Sequence, residues 1–286
     1  MMSVQKASDA VKFVFDALEN PEKITDNADM GDIHKALAPA LKTWTNECNG
    51  TRKILLVSAV GSVNYDLMTE TSDIDMKAIY MPTLSDFYHS FYPKFNFVTE
   101  AFDCALTPAH QYIEFILKGS MNHFEALTSP TCLARPDFIY IMHRYLTPMV
   151  EMNITKNVYA AWFMGVKAHA DATKATWKPK KAANALRILT FLIQYLDEGK
   201  IEFTVTGELQ TAILRLKNGD MDVTEYDGLY SALFDAAQGM AFDLYEGPKN
   251  YKIAKVVHSR DRTDTLEWHQ MRKELDDEMM KLIEKE

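Results

Sequence analysis

The chain has 286 residues, 47% of them hydrophobic, with only 11 Gly and 10 Pro. That composition excludes a disordered or low-complexity chain and supplies enough apolar mass for one large domain or two ordinary ones. The formal net charge of −9 excludes a protein that coats nucleic acid through bulk electrostatics, but not one with a local basic groove.

The N-terminal stretch MMSVQKASDAVKFVFDALEN is amphipathic and carries acids early, so it does not read as a signal peptide. Val11, Val14, Phe15 and Leu18 recur at helical spacing. Ile33, Leu37, Leu41 and Trp44 repeat the pattern in a second helix, with Asp32 as its cap. The period then changes. Ile54–Val60 (ILLVSAV) is a short aliphatic run and reads as a strand buried on both faces. Gly61-Ser62 breaks it. Asp73–Met81 alternates charged and apolar residues and reads as a second strand, stopped by Pro82. Phe95–Leu106 reads as a third. Helices are expected at Leu84–Phe91 and Pro108–Leu117.

From Asp137 onward the pattern is nearly all helical, with segments at 137–153, 155–175, 180–198, 207–217, 227–239 and 263–286. In the last, Trp268, Met271, Leu275, Met279 and Leu282 form one apolar stripe, read as packing on its own domain. The expected fold class is α+β: a small mixed-sheet core at 51–135, preceded by helices at 1–50 and followed by a mainly α-helical domain at 136–286. No apolar run approaches the ~20 residues that span a bilayer, so no membrane partner is expected. Cys48, Cys104 and Cys132 show neither a disulfide framework nor zinc spacing. They read as small buried apolar residues of a reduced, cytoplasmic chain.

The stretch GSVNYDLMTETSDIDMKAIYMP, Gly61 to Pro82, carries the chemistry. Side chains at i and i+2 of a strand share a face, so Asp73, Asp75 and Lys77 point the same way. Two carboxylates this close repel, and a strand bearing them needs water or a bound cation. Mg2+ is normally held by one or two carboxylates plus substrate phosphates, and two such ions can clamp a phosphoryl displacement. The Gly61-Ser62 turn leaves backbone and hydroxyl groups free to meet phosphate oxygens. A second signal is basic: Lys167, Lys174, Lys178, Lys180, Lys181 and Arg187 stand against one acid, Asp171, in a chain that is otherwise acidic.

An apolar strand, then Gly-Ser, then Ser-Asp-x-Asp opening a second strand, resembles the DNA polymerase β-type nucleotidyltransferase superfamily, with its hG[GS]…Dh[DE]h signature. More narrowly, it is similar to predicted nucleotidyltransferases of phages and bacteria with a GSxxYGL…SDxDxKxIxxP pattern. Weaker similarity runs through Phe102–Pro130 and Lys178–Phe203. The resemblance implies a palm-like core and an enzyme that moves a nucleoside monophosphate from an NTP to an acceptor, releasing pyrophosphate. It implies two Mg2+ ions, or Mn2+, held by Asp73, Asp75 and a third carboxylate. That third group is Asp103, preferred over Glu100, which falls on the other face by strand parity. Gly61, Ser62, Tyr65, Lys77, Lys180, Asn184 and Arg187 are implied in nucleotide binding. Two positions depart from the pattern: Asp66 stands where Gly is usual after the tyrosine, and Asn184 where His is common in the KxxxHxxR helix.

The acceptor is not legible: an RNA end, a protein hydroxyl and a small molecule all remain open, as do the base and the oligomeric state. The alternative function is a catalytically silent, antitoxin-like module on the same fold. Arg262…His269 also has the spacing of an RNase motif of helical toxin domains, a weak signal. His169 reads as a core residue before a base.

Overall fold

A computed structural model describes residues 4–20, 32–47, 52–69, 72–93, 95–99, 101–199, 202–243, 252–253 and 261–284 of the chain. Cys48 and Glu100 lie outside the described residues.

Five strands form one mixed sheet in the order β3-β4-β2-β1-β5. They are β1 (Ile54–Val60), β2 (Ile74–Tyr80), β3 (Phe95–Val98), β4 (Phe102–Pro108) and β5 (Leu133–Ala134). β2 and β4 run parallel, and the other pairs are antiparallel. β1 is central and buried along its whole length, as its unbroken aliphatic run requires. The expected single strand over Phe95–Leu106 is instead a hairpin, β3 and β4. Thr99 turns it: its backbone N–H and its hydroxyl both donate to the Phe102 carbonyl, and the hydroxyl accepts the Phe102 N–H. A period-2 pattern does not reveal a turn inserted within it.

Each face of the sheet is covered. Helices α1 (Val4–Glu19) and α2 (Asp32–Glu47) bury Val11, Val14, Leu41 and Trp44 against Val57, Met76, Ala78 and Cys104. On the other face, Leu56, Val60 and Ile79 pack with α4 (Ala109–Leu117), α5 (Met121–Thr128), α6 (Pro136–Ile141) and α7 (Thr147–Met152). The short α3 (Leu84–His89) follows β2 and is closed by a capping box between Thr83 and Asp86. α6 and α7 are joined through a π-helical stretch, Met142–Leu146, where one helix was expected over 137–153. Pro148 has no N–H to continue the α ladder, and the helix widens just before it.

The remaining helices are α8 (Ile154–Thr173), α9 (Pro179–Glu198), α10 (Gly207–Asn218) and α11 (Val223–Ala241), with a two-stranded ribbon at Phe242–Asp243 and Lys252–Ile253, and α12 (Leu266–Glu284). α8 to α11 share one apolar cluster, which also takes in Tyr65, Leu67 and Met121 from the first half of the chain. α12 does not join it. Its Leu275, Met279 and Ile283 pack in the sheet's second layer with α4 and α7. The architecture is a mixed α/β N-terminal region followed by a mainly helical region. Among the described residues, no helix is long and apolar enough to cross a membrane.

Candidate active site

The strand parity expected for the acidic stretch holds for Asp75 and Lys77; Asp73 precedes β2 and does not line the cleft beside the Gly61-Ser62 turn. Ile74, Met76, Ala78 and Tyr80 face α1 and α2, whereas Ile79, two and four positions beyond Lys77 and Asp75, faces the second layer. Asp75 and Lys77 are half-buried on that second face. In the parallel register Asp75 pairs with Asp103, and in the antiparallel register it pairs with Val60, the last residue of β1. The sheet therefore brings Asp75, Asp103 and the Gly61-Ser62 turn to one place.

The turn is tight for a physical reason. Gly61 sits at φ +71°, and a Cβ there would stand 2.8 Å from Asp75 Oδ2. Only glycine lets the backbone pass so close to that carboxylate. Asp66 also takes a left-handed conformation, φ +57°. The position where the resembling pattern carries Gly thus keeps the glycine-type backbone, and Asp tolerates it better than most residues. Gln210 of α10 then donates to the Asp66 carboxylate at 2.9 Å and to its carbonyl at 3.0 Å.

The carboxylates strain one another. Burial and the charges of Asp73 and Asp103 push the Asp75 pKa up to about 6, against the pull of Lys180. Burial and Asp73 also raise Asp103. Such a set of hard oxygen donors is one that a divalent cation would relieve. Among the described residues, no three or more His, Cys, Asp or Glu side chains form a ready-made metal cage. Mg2+ sites completed by substrate phosphates do not need one.

A cleft of about 550 Å3 opens beside the turn. Gly61, Ser62, Tyr65, Asp75, Lys180, Asn184 and Arg187 all line it, which gathers seven of the ten residues implied by the sequence. The cations of the wall are Lys178, Lys180, Lys181, Arg187 and Lys217. The first three stand at the start of α9, where the helix dipole adds to their positive charge.

Not all of these groups are free to meet a ligand. The Arg187 guanidinium stacks over the Tyr65 ring, 3.8 Å from its centroid, and donates to Asn184 Oδ1. The Gly61 N–H donates to Glu125. Lys77 does not line the cleft; its ammonium donates to the Asn122 carbonyl at the start of α5. Burial lowers the Lys77 pKa to about 8, offset in part by Glu125 and Asp75.

Two residues of the site were not anticipated. Lys217, on α10, donates to Ser62 Oγ at 2.8 Å and to the Leu67 carbonyl. Burial and the nearby Lys180 pull its pKa down to about 8. Glu125, on α5, is buried beneath the turn. Neither belongs to a short motif, and each reaches its partners across 60 or more positions of chain.

Other groups singled out in the sequence lie elsewhere. His169 Nδ1 meets the Tyr226 hydroxyl at 2.9 Å and the ring stacks on Tyr230, a packed aromatic cluster. Arg262 is ion-paired to Glu267, and His269 is exposed on α12. Cys104 and Cys132 are both free thiols: Cys104 is buried as expected, whereas Cys132 is only half-buried, and burial raises the pKa of each, Cys132 to about 12. No protein-family model matches the chain, and no curated protein is significantly similar to it.

Proposed function

We propose that the protein is a metal-dependent nucleotidyltransferase with a palm-like core, transferring a nucleoside monophosphate from an NTP to an acceptor. One observation carries this reading: a Gly-Ser turn, a strained carboxylate and five cations converge on a single cleft large enough for a small-molecule ligand. A cluster of cations beside a turn suits a triphosphate. Carboxylates beside it suit the ion that accompanies one.

In this reading Asp73, Asp75 and Asp103 would hold Mg2+ together with the phosphates, and the ion would neutralise charge on the triphosphate. The Ser62 hydroxyl and Lys217 face the phosphate chain. Lys180 and Arg187 offset the charge that builds on the leaving pyrophosphate. The acceptor oxygen attacks the α-phosphorus, the bond to pyrophosphate breaks, and the acceptor proton passes to the Asp103 carboxylate.

The test is pyrophosphate release from each NTP with Mg2+, together with transfer of α-phosphate label to RNA ends or to the protein itself. Release and labelling that disappear in Asp75→Asn support an enzyme. Tight NTP binding with no release under any condition would replace it with the silent module.

A further inference from the structure

Glu125 is 3% exposed near the middle of α5. A carboxylate taken out of water persists only where donors and cations compensate it. Here its hydrogen-bond donors come from the turn and the residues just after it. Oε1 accepts the Gly61 N–H and, at 3.3 Å, Asn64 Nδ2. Oε2 accepts the Tyr65 hydroxyl. Burial raises its pKa, and the charges of Arg187 and Lys77 offset that only in part. Glu125 itself does not line the cleft.

We infer that Glu125 is a positioning residue for the triphosphate site: it fixes the Gly61-Ser62 turn and, through Tyr65, the platform on which Arg187 stacks. The inference rests on the nucleotidyltransferase reading. Its reach is chemical. One carboxylate ties the core's turn to the arginine of α9, so both walls of the cleft share a single buried anchor. It also occupies the Gly61 N–H, so that amide is not open to a phosphate oxygen.

The test uses the full chain with Glu125→Gln, which keeps the shape and one acceptor oxygen, alongside Glu125→Ala and Tyr65→Phe. The readouts are the Kd of the NTP with Mg2+, the affinity for Mn2+ alone, and hydrogen exchange at the Gly61 amide. Glu125→Gln is expected to weaken NTP binding at least tenfold while Mn2+ affinity stays within twofold. Tyr65→Phe falls between Glu125→Gln and wild type. A purely structural loss would lower both ligands alike. Glu125→Ala is expected to speed Gly61 exchange at least tenfold relative to amides at the centre of β1. If it fails to fold, Glu125→Gln carries the test. Wild type and Glu125→Gln binding NTP equally well would overturn the inference and leave the nucleotidyltransferase reading intact. Should wild type bind no NTP, that reading falls. Gly61 exchange then decides the anchor alone: faster exchange in the variants upholds it, and unchanged exchange overturns it.

Discussion

Lys217 Nζ donates to the Ser62 hydroxyl at 2.8 Å, reaching from α10 to the turn at the end of β1. The same ammonium donates to the Leu67 carbonyl and lies 3.4 Å from Ser72 Oγ, just before the acidic strand. One cation thus touches both ends of the segment joining the turn to Asp73. Lys217→Met is expected to weaken NTP binding at least tenfold, about 1.4 kcal/mol, and Lys217→Arg to recover part of it. Titration calorimetry on the folded variants measures both.

Gly61→Ala meets two penalties, a left-handed backbone and a methyl group 2.8 Å from Asp75 Oδ2. The expected cost is about 1–3 kcal/mol in urea unfolding. The second penalty belongs to the pair. Asp75→Ala should therefore recover part of the loss in the double variant, giving a coupling energy above about 0.5 kcal/mol. Strict additivity would mean the two groups do not meet.

Asp75 carries a pKa of about 6 against an ordinary 3.8, so the folded chain holds its proton more tightly than the unfolded chain. The stability linked to that proton is full below pH 4 and is lost as pH rises through 6. In EDTA at pH 7.5, Asp75→Asn should raise the Tm. Solvent screens part of the repulsion, so the rise expected is roughly 2–4 °C. The difference from wild type should close as pH falls to 4. Thermal melts from pH 4 to 8 check the sign.

Arg52 and Asp86 have the opposite sign. Burial alone would raise the Asp86 carboxyl, but the two-pronged hydrogen bonds from Arg52, at 2.9 and 2.6 Å, and those from Thr83 outweigh it and hold it below 3.8. Both side chains are under a tenth exposed. Asp86→Ala should cost about 3 kcal/mol at pH 7, since it removes one partner of a buried pair and the side-chain half that Asp86 gives to the capping box of α3. That contribution is present above pH 4 and is lost as pH falls through the depressed value. Urea unfolding at pH 7 and pH 3 should show the gap between variant and wild type shrinking.

The sequence made some of this legible because the signals are local. The aliphatic run of β1, the alternation of β2 and the Gly-Ser break each depend on neighbours within a few residues. They led directly to Gly61, Ser62 and Asp75. Asp103 came from the resemblance, and the parallel register sets it beside Asp75. The basic run at the start of α9 was visible as composition, and it lines the cleft. Glu125 and Lys217 were not visible. A lone Glu in an eight-residue helix and a lone Lys near a helix end look like ordinary solvated charges. Only the tertiary fold, which sets α5 under the turn and α10 across it, gives them partners. Lys77 fails in the other direction: its face was read correctly, but α5 covers it.

The measurement that bears most directly on the metal–triphosphate site is thermal stability with each NTP, with and without Mg2+, in wild type and in Asp73→Ala/Asp75→Ala. A site of this kind predicts a Tm rise for at least one NTP that needs Mg2+ and vanishes in the double variant. No Mg2+-dependent rise with any NTP, or an equal rise in the double variant, would contradict it.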